Sequence, residues 1–189
     1  MQNLTGIILA GGKSSRMGKD KSFLTIDGKT FIQRQAEKLQ KFCSEIIIST
    51  DNDEINIPNT LKVSDIYKNC GPIGGLYAGL KHSTNEFAFV LTVDTPLVSD
   101  ELISFIVNNS DGFDVTVSAF NEKIHPLIGM YHKSVVSILE NEIKNENYKV
   151  LKFIEKTSFQ ILDTSNFLKD NYFNINTLNE YKLINNTPE

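Results

Sequence analysis

The sequence predicts an α/β protein, a single Rossmann-like three-layer α/β/α domain spanning residues 1–189 around a mostly parallel sheet. Three observations predict it. Short apolar runs rich in β-branched residues recur along the chain; they alternate with segments of helical apolar spacing; and the first run ends on a pair of glycines.

Leu4–Ala10 carries Ile7-Ile8-Leu9 straight into Gly11-Gly12, the pattern of a buried strand feeding a loop. Thr30–Phe42 places Phe31, Ile32, Gln35, Ala36, Leu39 and Phe42 at helical spacing, with Gly28 as punctuation before it. Glu45–Thr50, with three consecutive isoleucines, is the next strand, completing a parallel βαβ unit. The polar stretch Asn52–Asn59 is a loop. A short helix over Gly74–His82, a strand over Phe87–Val93 and an amphipathic helix over Asp100–Val107 continue the alternation. Beyond them lie strands over Asp114–Phe120 and Leu127–Tyr131 and a helix over Lys133–Lys144. A helix over Val150–Lys156, a strand near Phe159–Leu162 and a last helix after Asn176 complete the chain. In such sheets the ligand sits beyond the carboxyl ends of the strands, so the loops after Ala10, Thr50 and Val93 are the places to look.

A chain of 189 residues with 40% hydrophobic and 22% charged residues can bury a full core but not two. Its net charge of −4 disfavours nucleic acid or an acidic membrane as partner, so an anionic ligand must be held by local positive charge. Cys43 and Cys70 are too few for a disulfide framework and form no CxxC pair, and His82, His125 and His132 lack zinc-ligand spacing. No stretch has the length of a transmembrane helix, and Ile7–Ala10 is too short for a signal-peptide core. A cytoplasmic location is expected.

The segment Leu9-Ala10-Gly11-Gly12-Lys13-Ser14-Ser15-Arg16-Met17-Gly18-Lys19-Asp20-Lys21 is the most informative. Its glycines let the backbone approach a ligand and aim successive N–H groups at it. Four basic residues (Lys13, Arg16, Lys19, Lys21) stand against the single acid Asp20, a composition suited to a triphosphate. A Walker loop is excluded, because the glycine it requires five positions before Gly12 is Ile7, and no GxGxxG spacing is present.

The string LAGGKSSRMGKDK resembles the signature of the molybdenum cofactor guanylyltransferases, within the wider nucleotidyltransferase class. Asp20-Lys21 is the pair that points to the guanylyl branch. The resemblance implies that Leu9, Ala10, Gly11 and Gly12 line the nucleotide and that Arg16 and Lys21 hold its phosphates. It extends over nearly the whole chain, from Leu9 to Asn176, with a nucleotide-binding part at about residues 1–100 and an acceptor-binding part at about 101–185.

Asp94 follows the apolar run Phe87–Val93 and precedes Thr95-Pro96, where a carboxylate is placed to hold a divalent metal. The alternative is a helix cap, a role for which Ser99 is better placed. Asp-x-Pro matches the family's metal-binding motif, which implies Mg²⁺ as cofactor. Asp65, upstream of Gly71-Pro72-Ile73-Gly74-Gly75, matches a family aspartate of the nucleotide site; the glycine segment itself is a turn entering a helix with free N–H groups. Asn174-Ile175-Asn176-Thr177 resembles the family's Asn-x-Asn-Thr-Pro segment, with Leu178 in place of proline. Asn174 and Asn176 are candidates for the acceptor or the metal, and Asn176 or Thr177 equally for a helix cap. His125-Pro126 resembles a pair near the family's acceptor site, and Tyr148, Lys149 and Lys152 fall in its pterin-binding region.

What the resemblance implies as a whole is attack by the terminal phosphate of molybdopterin on the α-phosphorus of GTP, giving the guanine dinucleotide cofactor and pyrophosphate; the alternatives are a related cytidylyl- or sugar-phosphate nucleotidyltransferase and a non-catalytic GTP-binding module. The expected partners are GTP, molybdopterin or molybdenum cofactor, and transiently the proteins that deliver it. Neither a Ser/His/Asp arrangement nor a carboxylate pair is evident, and an already anionic acceptor needs no strong general base.

Overall fold

The computed structural model describes residues 2–11 and 20–185. The next described elements after strand β1 (Gln2–Leu9) are a 3-10 turn (Lys21–Phe23) and a small ribbon of β2 (Thr25–Ile26) and β3 (Lys29–Thr30). Then come α1 (Phe31–Leu39), β4 (Cys43–Ser49), β5 (Leu61–Val63), α2 (Pro72–His82), β6 (Phe87–Thr92) and α3 (Asp100–Asn108). The second half contains β7 (Val115–Phe120), β8 (Lys123–His132), α4 (Val136–Lys144), α5 (Val150–Ile154), β9 (Phe159–Asp163) and α6 (Leu178–Asn185).

Seven strands form one sheet in the order β5-β4-β1-β6-β8-β7-β9. β5, β4, β1 and β6 run parallel, as do β7 and β9; β8 is antiparallel to both its neighbours. The sheet is therefore mostly parallel, with the reversal where β8 is inserted.

Successive side chains of a strand point to opposite faces, and the isoleucine runs exploit this. Ile8, Ile48, Phe89 and Leu91 pack on one face with α1 and α3, through Phe31, Ile32, Leu39, Leu102 and Ile106. Ile7, Ile47 and Val90 pack on the other with α2, α4 and α5, through Leu76, Tyr77, Leu80, Leu139, Ile143 and Phe153. Both faces are buried, which explains why these strands read as continuous apolar runs instead of alternating ones. The result is the three-layer α/β/α arrangement expected.

Boundaries moved where side chains take over from backbone pattern. The expected helix over Thr30–Phe42 runs only over Phe31–Leu39: Thr30 caps its start in a capping box with Gln33, and residues 40–42 turn the chain into β4. The helix expected at Gly74 begins two residues earlier, with Gly71 as its cap at φ 65° and Pro72 at its first turn. The helix expected over Lys133–Lys144 starts with a 3-10 turn over Lys133–Val135. β8 is longer than Leu127–Tyr131 and takes in His125-Pro126. The β2–β3 ribbon and β5 were not expected; Asp27 and Gly28, both at positive φ, make the tight turn between β2 and β3.

Gly129 shows how tightly β8 is inserted. A Cβ there would overlap the Thr116 carbonyl oxygen and lie 3.0 Å from Val117 Cα, both backbone atoms of β7. Gly129→Ala is expected to destabilise the fold by about 3 kcal/mol, read from a shift in the urea midpoint at unchanged slope. A loss under about 1 kcal/mol would contradict that packing.

Candidate active site

The carboxyl ends of the parallel strands finish level. Leu9 is paired with Ser49 of β4 on one side and Thr92 of β6 on the other. The ladder continues one step further, with Ala10 N donating to Ser49 O (3.0 Å), Val93 N to Leu9 O (3.1 Å) and Thr50 N to Val63 O (2.9 Å). Four loops thus leave from a single edge. Leu9 and Ala10 are buried in that edge while Gly11 is exposed, and a Cβ on Gly11 would meet no described atom within 4 Å. Gly12 and Arg16, with Lys13 and Lys19, lie outside the described residues.

Asp20 and Lys21 divide the work at the loop's exit. One Asp20 oxygen accepts from Ser22 N (2.9 Å) and the other from Asn52 Nδ2 (2.7 Å), tying Asp20 to the segment after β4. Lys21 Nζ instead reaches Asn176 Oδ1 at 2.5 Å across 155 positions of sequence.

Asp94 lies two residues beyond the end of β6. Its carboxylate accepts from the Thr92 hydroxyl, and the Thr92 and Thr95 hydroxyls are 3.1 Å apart. The cap of α3 is Ser99, whose Oγ accepts from Leu102 N at 3.2 Å, so the capping alternative for Asp94 is eliminated. The backbone of Asp94 accepts from Ile175 N (2.9 Å), which carries Asn176 to the same edge. Lys21, Asp94 and Asn176, far apart in sequence, are thereby linked through the 174–176 segment.

Thr177, not Asn176, caps α6. Its Oγ1 accepts from Glu180 N (3.2 Å), while Glu180 Oε2 accepts from Asn176 N (2.7 Å) and Thr177 N (2.8 Å). This capping box does what a proline at position 178 would do by preorganising the first turn. Leu178 therefore leaves the helix start intact.

Asp65 faces the edge from beyond β5. Ser49 Oγ donates to it at 3.2 Å, and Cβ atoms on Gly74 and Gly75 would come within 3.4 and 3.5 Å of its two oxygens. The glycines of α2 thus let the helix's first turns close on this carboxylate. Burial pushes the Asp65 carboxyl above the usual carboxylate range, with the Ser49 bond pulling the other way. A raised folded-state pKa means that folding favours the proton, so the ionised side chain opposes folding above the unfolded pKa of about 3.9. Asp65→Asn is expected to raise the melting temperature at pH 7, with the gain shrinking as pH falls towards about 4. A pH-independent or negative shift would contradict the assigned cause.

His125 packs its ring on Tyr172 with centroids 4.4 Å apart, and Tyr172 leads directly into Asn174. Burial first, and the Lys123 charge second, lower the His125 pKa, which favours the neutral ring. Asn174 is exposed. Tyr148 and Lys149 precede α5, in the opposite helical layer from Tyr172 and Ile175, and Lys152 on α5 pairs with Glu155 at 2.8 Å.

Among the described residues the arrangement offers an ammonium, a carboxylate with one hydroxyl partner and an amino terminus of α2 without a side-chain cap around one sheet edge. That set suits a polyanion bridged to a divalent ion. Among the described residues no three His, Cys, Asp or Glu side chains cluster to hold a metal. No helix among them is long and apolar enough to cross a membrane.

Sequence reasoning missed Ser49, Thr92 and Gln35 as partners of the site. Only Gln35 left a signal: a polar residue in the apolar stripe of α1.

A family model described as the MobA-like NTP transferase domain matches residues 6–159. A probable molybdenum cofactor guanylyltransferase from Clostridium perfringens is 34% identical over 184 residues, spanning 93% of this chain and 92% of the relative. A Flavobacterium johnsoniae protein of the same description is 33% identical, spanning 98% of both. Among solved structures, a protein from Aquifex aeolicus superposes with a TM-score of 0.79 at 32% identity, over 92% of this chain and 93% of its own. Molybdopterin-guanine dinucleotide biosynthesis protein A from Archaeoglobus fulgidus shares the fold, with a TM-score of 0.80 at 22% identity over 96% of each chain.

Proposed function

Because the chain belongs to the MobA-like NTP transferase family and is a nucleotidyltransferase, we propose that it transfers GMP from GTP to the terminal phosphate of molybdopterin. The reaction forms a bond from an acceptor phosphate oxygen to the α-phosphorus of GTP. It breaks the bond from that phosphorus to the bridging oxygen, and pyrophosphate leaves. The observation that carries the reading is the convergence of Lys21, Asp94 and Asn176 on the edge where the glycine loop leaves β1.

In this reading Leu9, Ala10, Gly11 and Gly12 line the nucleotide, and Arg16 and Lys21 neutralise its phosphates. Asp65 closes the nucleotide pocket below the first turns of α2. The acceptor meets the second half of the chain, through His125, Asn174 and Asn176; a neutral His125 can exchange a hydrogen bond with a phosphate without adding charge.

Asp94 suits Mg²⁺. Its carboxylate has a single described partner, the Thr92 hydroxyl, and Mg²⁺ takes one or two carboxylates together with substrate phosphates and water. The ion would offset charge on the phosphates and favour departure of pyrophosphate. Asp94 would hold it, Lys21 would orient the triphosphate, and the positioning of two anions would supply the remaining acceleration. We place the reaction in the cytoplasm, where Cys43 and Cys70 stay reduced.

Calorimetric titration with GTP, CTP, UTP and ATP, with and without Mg²⁺, tests the donor. Selective GTP binding that weakens without Mg²⁺ is the expected result. Preference for CTP would move the chain to cytidylyl transfer.

A further inference from the structure

Gln35 occupies the inward stripe of α1 among Phe31, Ile32, Ala36 and Leu39, with 0% of its surface exposed. Its Nε2 donates to two carbonyls at once, Thr92 O at 2.9 Å and Thr95 O at 2.8 Å. These are the flanks of the turn that contains Asp94. The turn's own backbone bond, Thr95 N to Thr92 O, is long at 3.4 Å, so the amide clamp closes it more firmly than the backbone does. One turn further along α1, Lys38 Nζ donates to Pro96 O at 3.1 Å and extends the attachment.

The Gln35 Oε1 is buried and has no hydrogen-bond partner among the described residues. The opposite amide orientation would point that oxygen at two carbonyls, so the partners themselves fix the assignment. An unpartnered buried polar atom costs about 1–3 kcal/mol, a cost that leucine or methionine in the same stripe would avoid. A residue that breaks the local rule for a helix's inward face at a candidate site marks a contribution other than stability.

We propose that Gln35 is a positioning residue for Asp94. By bridging the Thr92 and Thr95 carbonyls it fixes the turn's backbone, and the Thr92 hydroxyl then sets the direction of the carboxylate. The proposal rests on the reading of Asp94 as the divalent-ion ligand.

The test is Mn²⁺ binding to the protein in the presence of GTP, followed by electron paramagnetic resonance, for wild type, Gln35→Met and Asp94→Asn. Gln35→Met keeps the size of the side chain and removes its donors. It is expected to weaken Mn²⁺ about 10-fold, the lower end for loss of a group that orients a metal ligand. Saturating Mn²⁺ should then restore nucleotide binding to the wild-type level, a rescue that a merely structural defect would not show. Gln35→Leu, which also lacks a donor and suits the apolar stripe of α1, carries the same expectation and serves if the methionine variant does not fold. Wild-type Mn²⁺ affinity in both Gln35 variants, or a loss that excess Mn²⁺ does not recover, would overturn the proposal while leaving Asp94 in place. Wild-type affinity in Asp94→Asn would instead overturn the reading of Asp94 itself.

Discussion

Replacing Asp94 by alanine is expected to slow pyrophosphate release from GTP plus acceptor by on the order of 10³-fold, with the protein still folded. The rate effect follows from charge. The proposed reaction would bring two anions together, and a divalent ion without its carboxylate would no longer stabilise charge where it develops. The fold should survive, because Ser99 caps α3 and the Asp94 side chain is bonded only to Thr92 among the described residues. The carbonyl that anchors Ile175 belongs to the backbone and remains in alanine. A melting temperature within about 2 °C of wild type is expected, as for a substitution outside the core. Near-normal turnover at saturating Mg²⁺ would remove Asp94 from the metal site.

Lys21→Ala is expected to lower kcat by about 10²-fold, as for the loss of one preorganised charge donor. Asp20 anchors the backbone beside Lys21 through Ser22 and Asn52, so the ammonium can be removed without releasing the chain that carries it. The same variant separates two roles. If Lys21 serves mainly to fix Asn176, then kcat is preserved and the KM for the acceptor rises. If it neutralises phosphates, kcat falls and kcat/KM falls with it. The second pattern is expected, and the first would contradict a role for Lys21 on the phosphates.

The strands of the central sheet were legible because burial on both faces leaves unbroken apolar runs, as in Ile46-Ile47-Ile48 and Phe89-Val90-Leu91. β5 was not, since Leu61-Lys62-Val63 is short and mostly exposed at the sheet's edge. The reversal of β8 was equally hidden, because strand direction leaves no mark in composition. At the site, Asp94 could be read from its place after an apolar run and before Thr95-Pro96. What could not be read was which distant residues meet. The Lys21–Asn176 contact depends on the chain returning across 155 positions, and Gln35 becomes informative only once α1 is seen against the Thr92–Thr95 turn.

The most direct measurement is product analysis after incubating the protein with GTP, Mg²⁺ and molybdopterin. Molybdopterin guanine dinucleotide and pyrophosphate are expected in equal amounts, both abolished when Mg²⁺ is chelated. Pyrophosphate release that ignores molybdopterin, or a dinucleotide formed from CTP in preference to GTP, would contradict the proposed function.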